Sequence, residues 1–215
     1  MIRSAWREMV DTYRTLAASR QAEPPKSKGS RFIGEAFPVA SEADALTMME
    51  TVRAREHAAT HVCWAYRLGA DGSRIRSADD GEPSGTAGLP ILREIEGRDL
   101  TDCLVTVTRY YGGTKLGAGG LARAYGEAAA TVLDASPVRT VVVRVPVELR
   151  FAFADTSAAM RQLDVFDAKI AAQDYTPEGT VLTLDVRCSQ VDALAAAFVE
   201  ATSGRGDCRQ VQRDT

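Results

Sequence analysis

Several residue patterns are scarce in this chain, and each scarcity excludes something. The longest purely apolar run is Ala193 to Val199. A membrane-crossing helix needs roughly 18 apolar residues, so no membrane partner is expected. Met1 to Glu8 lacks an apolar run followed by a small-residue cleavage site, so no secretory signal is expected. Cysteine is limited to Cys63, Cys103, Cys188 and Cys208, with no C-x-x-C pair. That usage points to reduced, mostly buried thiols in a cytoplasmic protein. Histidine is limited to His57 and His61, and there is no G-x-S-x-G, which leaves His-dependent triads few options. Lysine supplies only Lys26, Lys28, Lys115 and Lys169; the other basic residues are arginine. Arginine forks suit phosphate, although a GC-rich genome gives the same bias.

The 215 residues are 45% hydrophobic, enough for one or two domains with a sizeable core. The net charge is −3. Residues 1–135 carry 17 Lys and Arg against 18 Asp and Glu, and residues 136–215 carry 9 against 11. Neither part is basic overall, so a nucleic-acid site must be a local patch.

Spacing gives the organisation. Ile2, Trp6, Met9, Tyr13 and Leu16 predict a short amphipathic helix, with a strand from Tyr13 as the alternative. Pro24-Pro25 and Ser27-Lys28-Gly29 exclude regular structure over 21–29. A strand is expected over 31–39. A helix capped by Ser41 runs to about Glu56, with Asp44 as an imperfect capping-box partner. A buried strand over 61–68 turns at Asp71-Gly72 into a second. A helix through about Ile95, a core strand over 103–111 and a helix over 119–133 follow. Ala135-Ser136-Pro137 is the expected domain boundary. Beyond it come a strand over 140–151, a helix over 156–163 started by Asp155-Thr156-Ser157, strands over 169–175 and 180–187, a helix capped by Ser189, and a strand over 208–213. That β-α-β-β-α-β order predicts a ferredoxin-like module.

Two loops stand out. Arg109-Tyr110-Tyr111-Gly112-Gly113-Thr114-Lys115-Leu116-Gly117-Ala118-Gly119-Gly120-Leu121-Ala122-Arg123 joins a core strand to a helix, and no acid occurs from Cys103 to Gly126. Glycines let backbone N–H groups approach an anion, and a helix start adds positive potential. Arg109, Lys115 and Arg123 would hold phosphate, with Gly112, Gly113, Gly119 and Gly120 opening the backbone. Tyr110 and Tyr111 would stack a base, and Arg31 and Lys28 would extend the patch. The competing reading is a tight structural crossover. The loop is not a P-loop, because Gly117 is followed by Ala118-Gly119 rather than Lys-Ser/Thr. It fits G-x-G-x-x-A, but that pattern starts six residues past Tyr111.

The other loop is Asp79-Asp80-Gly81-Glu82-Pro83-Ser84-Gly85-Thr86-Ala87-Gly88. Asp79, Asp80 and Glu82 would hold a divalent ion or act as acid and base. Alternatively, Asp79 or Asp80 pairs with Arg109 or caps the next helix. His57-x-x-x-His61 would make a metal face only if one helix carried both; no metal or cofactor is assigned.

These segments resemble the YigZ/IMPACT family. The resemblance is carried by Gly29-Ser30-Arg31-Phe32-Ile33, by His61 with Ala65-Tyr66, by Asp79-Asp80-Gly81-Glu82-Pro83-Ser84-Gly85-Thr86-Ala87-Gly88, and by Arg109-Tyr110-Tyr111-Gly112-Gly113 through Leu121. Ala78 stands where the family usually has serine, and Gly29 where it has a second lysine. The resemblance implies an α+β protein of two domains. Residues 29–135 would form a βαβ-containing domain similar to domain IV of elongation factor G. Residues 141–213 would form the ferredoxin-like βαββαβ module, with 1–28 an N-terminal extension. It implies a translation-linked, nucleic-acid- or ribosome-associated role, with a regulatory protein partner in the eukaryotic branch. No established catalytic activity comes with it. A metal-assisted phosphoester or nucleotide enzyme using the acidic loop, and a protein-interaction regulator without RNA binding, are the alternatives.

Overall fold

The computed structural model describes residues 10–211. Among the described residues, Tyr13–Val141 forms one compact unit, and 142–211 with 10–12 forms another. No helix among the described residues is long and apolar enough to cross a membrane.

The chain begins with β1 (Thr12–Leu16) and β2 (Arg20–Ala22), then β3 (Arg31–Pro38), α1 (Glu42–Arg55), β4 (His61–Leu68), β5 (Arg74–Ala78), α2 (Gly88–Gly97), β6 (Cys103–Tyr110), α3 (Ala118–Asp134) and β7 (Val138–Val142). Five strands form an antiparallel-paired sheet in the order β2-β3-β6-β4-β5. Both its faces are covered. Cys63, Ala65, Val105 and Val107 pack with Ile91 and Ile95 of α2 and Leu121, Tyr125 and Ala128 of α3. Val62, Trp64, Tyr66 and Leu104 pack with Ala45, Met49 and Val52 of α1 on the other side. Residues at i and i+1 of β4 thus enter different cores, which is why that strand reads as a continuous apolar run.

Glycine lets α3 approach the sheet. A Cβ on Gly34 would lie 2.5 Å from the Ala128 carbonyl oxygen, so no larger residue fits. At the start of α1, the Ser41 hydroxyl accepts the Asp44 N–H at 3.1 Å. Asp44 reaches back to the N–H of Ala40, one residue beyond the cap, at 3.2 Å. The shorter side chain of aspartate thus closes a variant of the capping box.

The second unit runs β8 (Arg144–Phe151), α4 (Thr156–Val165), β9 (Lys169–Thr176), β10 (Gly179–Arg187), α5 (Val191–Ala201) and β11 (Asp207–Gln210). Its sheet order is β11-β8-β10-β9, the ferredoxin-like arrangement. Inward residues alternate along β8 and β10: Val145, Val147 and Leu149, and Leu182, Leu184 and Val186. They pack against Leu163 of α4 and Leu194 and Phe198 of α5.

Four local expectations need correction. Of the helix expected near the N-terminus, Met1 to Met9 lie outside the described residues, and the alternative of a strand from Tyr13 holds instead: Thr12–Leu16 is a strand paired with β7. Thr12, Tyr13 and Thr15 favour a pleated strand once a partner is present. The single strand expected over 140–151 is two, separated at Val143, because β7 pairs with β1 while β8 pairs with β10. Ser189 lies in a short 3₁₀ turn, and Gln190 holds the α5 N-cap position without a side-chain bond. Asp155 stands at the α4 N-cap, but its carboxylate turns to Arg205 at 2.6 Å.

Candidate functional site

The acidic loop sends each carboxylate to a different task. Asp79 accepts the backbone N–H groups of Gly85, Ala87 and Gly88 at 2.8, 2.9 and 2.8 Å. These include the first turn of α2, whose N-cap residue Ala87 has no side-chain cap of its own. Burial alone would raise the Asp79 pKa, but the three N–H donors outweigh it and hold the carboxyl below its ordinary value. Asp80 accepts the Val62 N–H at 2.7 Å and pairs with Arg53. Glu82 turns inward: its Oε1 accepts Arg109 Nη1 at 2.5 Å and the Tyr125 hydroxyl at 2.7 Å. The carboxylates are therefore engaged in separate directions by protein donors. No group of three His, Cys, Asp or Glu side chains among the described residues is placed to hold a metal. Of the two expectations for this loop, the structural one describes these contacts: Asp79 caps α2, and the acid that meets Arg109 is Glu82 rather than Asp79 or Asp80.

Strand register explains the meeting. Arg109 lies opposite Phe32 of β3 and His61 of β4. Its side chain is only 6% exposed. The guanidinium sits 5.6 Å from the Phe32 ring centroid and 5.4 Å from that of Tyr111. Its Nη2 lies 3.4 Å from Ser30 Oγ, and its Nε has no hydrogen-bond partner among the described residues. Tyr125 packs edge-on against Phe32 at 5.1 Å. Burial, with the neighbouring Cys63 and Glu82, raises the Tyr125 pKa and keeps its hydroxyl a donor. Burial likewise pushes the Cys63 thiol up to about 12, which disfavours the thiolate.

Arg109 is thus an internal scaffold, not a free surface cation, which corrects its expected role as a phosphate ligand. Arg31 pairs with Glu23 at 2.8 Å and lies 5.8 Å from the centroid of Tyr110. Tyr110 donates its hydroxyl to Glu56 at 2.6 Å. Both side chains are therefore engaged by acids away from the Glu82 network. Gly112 is a packing residue: a Cβ there would lie 1.9 Å from the Gly29 carbonyl carbon. A Cβ on Gly120 would meet Leu116 Cβ at 3.2 Å. Arg123 is exposed on α3 and lines a groove with Arg93 and Glu94. His57 is exposed past the end of α1, whereas His61 opens β4, so the two share no helix face.

Glu82, Arg109 and Lys115 come together around one cavity of about 520 Å³. His61, Tyr111, Leu116, Leu121 and the beginning of α3 complete its wall. Lys115 is exposed and makes no ion pair with the described residues. α3 has no acid in its first turn, so the positive end of its dipole opens here uncompensated. Gly113, Gly117 and Gly119 leave open space where a side chain would stand. His61 Nδ1 lies 2.7 Å from the Asp80 carbonyl oxygen, which can only accept, so Nδ1 carries the hydrogen. His61 Nε2 lies 3.8 Å from Glu82 Oε1.

Sequence reasoning missed Tyr125 as a donor to Glu82: the residue falls inside the helix expected over 119–133, and nothing in the sequence marks the partner of its hydroxyl.

Residues 28–133 match the Impact N-terminal domain family. The chain is 41% identical over 155 residues to an IMPACT family member from Thermus thermophilus, covering 72% of this chain and 83% of the relative. It is also 41% identical over 126 residues to the IMPACT family member YvyE of Bacillus subtilis, covering 59% of this chain and 58% of that relative. A solved structure described as a hypothetical protein superposes with a TM-score of 0.69 at 27% identity, over 96% of this chain and all of the other. The acidic loop, the glycine loop and the buried pair that joins them lie inside the matched segment, and the chain belongs to the IMPACT family, a translation-linked regulatory family.

Proposed function

We propose that this chain is a cytoplasmic RNA-binding protein that associates with the ribosome and holds phosphate backbone at the mouth of the Lys115 cavity. The observation that carries the reading is the absence of acid from Cys103 to Gly126, combined with an exposed Lys115 beside the start of α3. A phosphate there meets a cation, helix N–H groups and glycine backbone that no side chain shields. Glu82 does not cancel this potential, because Arg109 and Tyr125 already bind it. Arg109 contributes by fixing the loop rather than by touching the ligand.

The test is sedimentation of tagged protein through sucrose gradients at low and high salt, beside a Lys115→Glu variant. Co-migration with ribosomes at low salt, lost at high salt and in the variant, is the expected result. Wild-type protein that stays at the top of every gradient overturns the ribosome reading. With purified RNA, affinity falls as salt rises; a log–log slope of zero would rule out phosphate contacts.

A further inference from the structure

The same cavity has the size and lining of a slot for a single nucleotide. We infer that it receives an unpaired nucleotide, with the base beside Tyr111 and His61 and the phosphate at Lys115. This deepens the phosphate-binding reading and rests on it for the source of the nucleotide, a single RNA strand. A free nucleotide presents the same chemistry.

The argument starts from the cavity, whose volume of about 520 Å³ suits a small ligand. Leu116 and Leu121 give it apolar walls, and Lys115 stands at its charged side. Tyr111 is 47% exposed, which leaves ring surface for a base. Its ring is held from within by the Arg109 guanidinium, 5.4 Å from the centroid. A base stacking on it therefore meets a ring already oriented, with less ordering entropy to lose. His61 lines the cavity with its Nδ1 committed to Asp80, so the ring nitrogen left to meet a base is Nε2. The bases of a duplex are stacked and paired, and would have to leave the helix to enter. Single strands carry no such cost.

The experiment compares a fluorescent ten-nucleotide RNA, the same RNA as a blunt duplex, and adenosine monophosphate, each against the full chain. The variants are Tyr111→Ala, Tyr111→Phe and Lys115→Ala, with unfolding midpoints recorded to confirm that each folds. Wild type binds the single strand more tightly than the duplex. Tyr111→Ala weakens single-strand binding roughly 5- to 150-fold, the worth of one stacked base, and leaves duplex binding unchanged. Tyr111→Phe keeps the ring and binds as wild type does. Lys115→Ala weakens both RNAs alike. Equal affinity for single strand and duplex, with Lys115 dependence intact, overturns the slot but not the phosphate reading. Binding of the monophosphate that is lost in Tyr111→Ala, without binding of either RNA, keeps the slot and overturns the RNA reading. Absence of all binding overturns both.

Discussion

The two units place their charged residues differently. In the first, Glu82 and Arg109 lie side by side in the interior, joined by the Tyr125 hydroxyl. In the second, Val147, Leu149, Leu182, Leu184, Leu194 and Phe198 form an apolar core. Its Glu148 meets Arg150 and Arg209, which are half exposed on the sheet, at 2.6 and 2.7 Å. Taking a carboxylate and a guanidinium out of water costs several kcal/mol per ion, and apolar residues of similar volume often stabilise a fold as well or better. The second unit demonstrates such a core in the same chain. The buried pair of the first unit is therefore better explained by position than by stability. It ties the acidic loop to the end of β6, where the glycine loop departs.

That contrast can be broken most directly at Glu82. Glu82→Ala leaves the Arg109 charge buried without its partner, and a loss of about 3–5 kcal/mol in unfolding free energy is expected by chemical denaturation. The next effect is at Asp79, which serves three backbone N–H groups. Asp79→Ala should cost about 0.5–2 kcal/mol, as loss of a helix cap does. Its pH dependence has a definite sign. The folded carboxyl titrates below its ordinary value, so its contribution is complete above the unfolded value and is lost as pH falls through the folded one. Asp79→Asn should flatten the acid limb of the stability profile below about pH 4 and leave its neutral region parallel to wild type. Glu148→Ala sharpens the comparison from the other side. Its exposed partners remain solvated when it is removed, so a loss of under about 1 kcal/mol is expected in the same denaturation experiment. The smallest change in stability is at Lys115. Lys115→Ala should stay within about 0.5 kcal/mol of wild type. On the phosphate reading it should lower the salt-dependence slope for RNA by about 1. Arg109→Ala would instead lose stability and binding together, because it removes scaffold.

Much of the architecture is legible in the sequence. Alternation and β-branched residues located β3, β4 and β6, Ser41 located the start of α1, and the order of elements after residue 140 gave the ferredoxin-like module. The misses share a cause. Thr12–Leu16 becomes a strand because β7 is there to pair with it, and Val143 interrupts a strand because its two sides have different partners. Asp155 sits at a helix start, but Arg205, fifty residues away, takes its carboxylate. At the site, the acidic and glycine loops were both visible as unusual segments. Their partners were not, because Glu82 reaches Arg109 across 27 positions and Tyr125 across 43.

The sequence by itself determined most of the elements, because hydrophobic period, caps and turn residues act over a few positions, and its acidic-loop and Arg-Tyr-Tyr-Gly-Gly motifs carried the resemblance to the family. Only the tertiary structure decided which charges remain available to a ligand. Hydrogen bonding inside the protein engages Glu82, Arg109 and Asp79, and leaves Lys115 exposed beside the start of α3. A charge counts toward binding only after the fold's own donors and acceptors have taken their share, and that depends on distances in space that spacing along the chain does not encode.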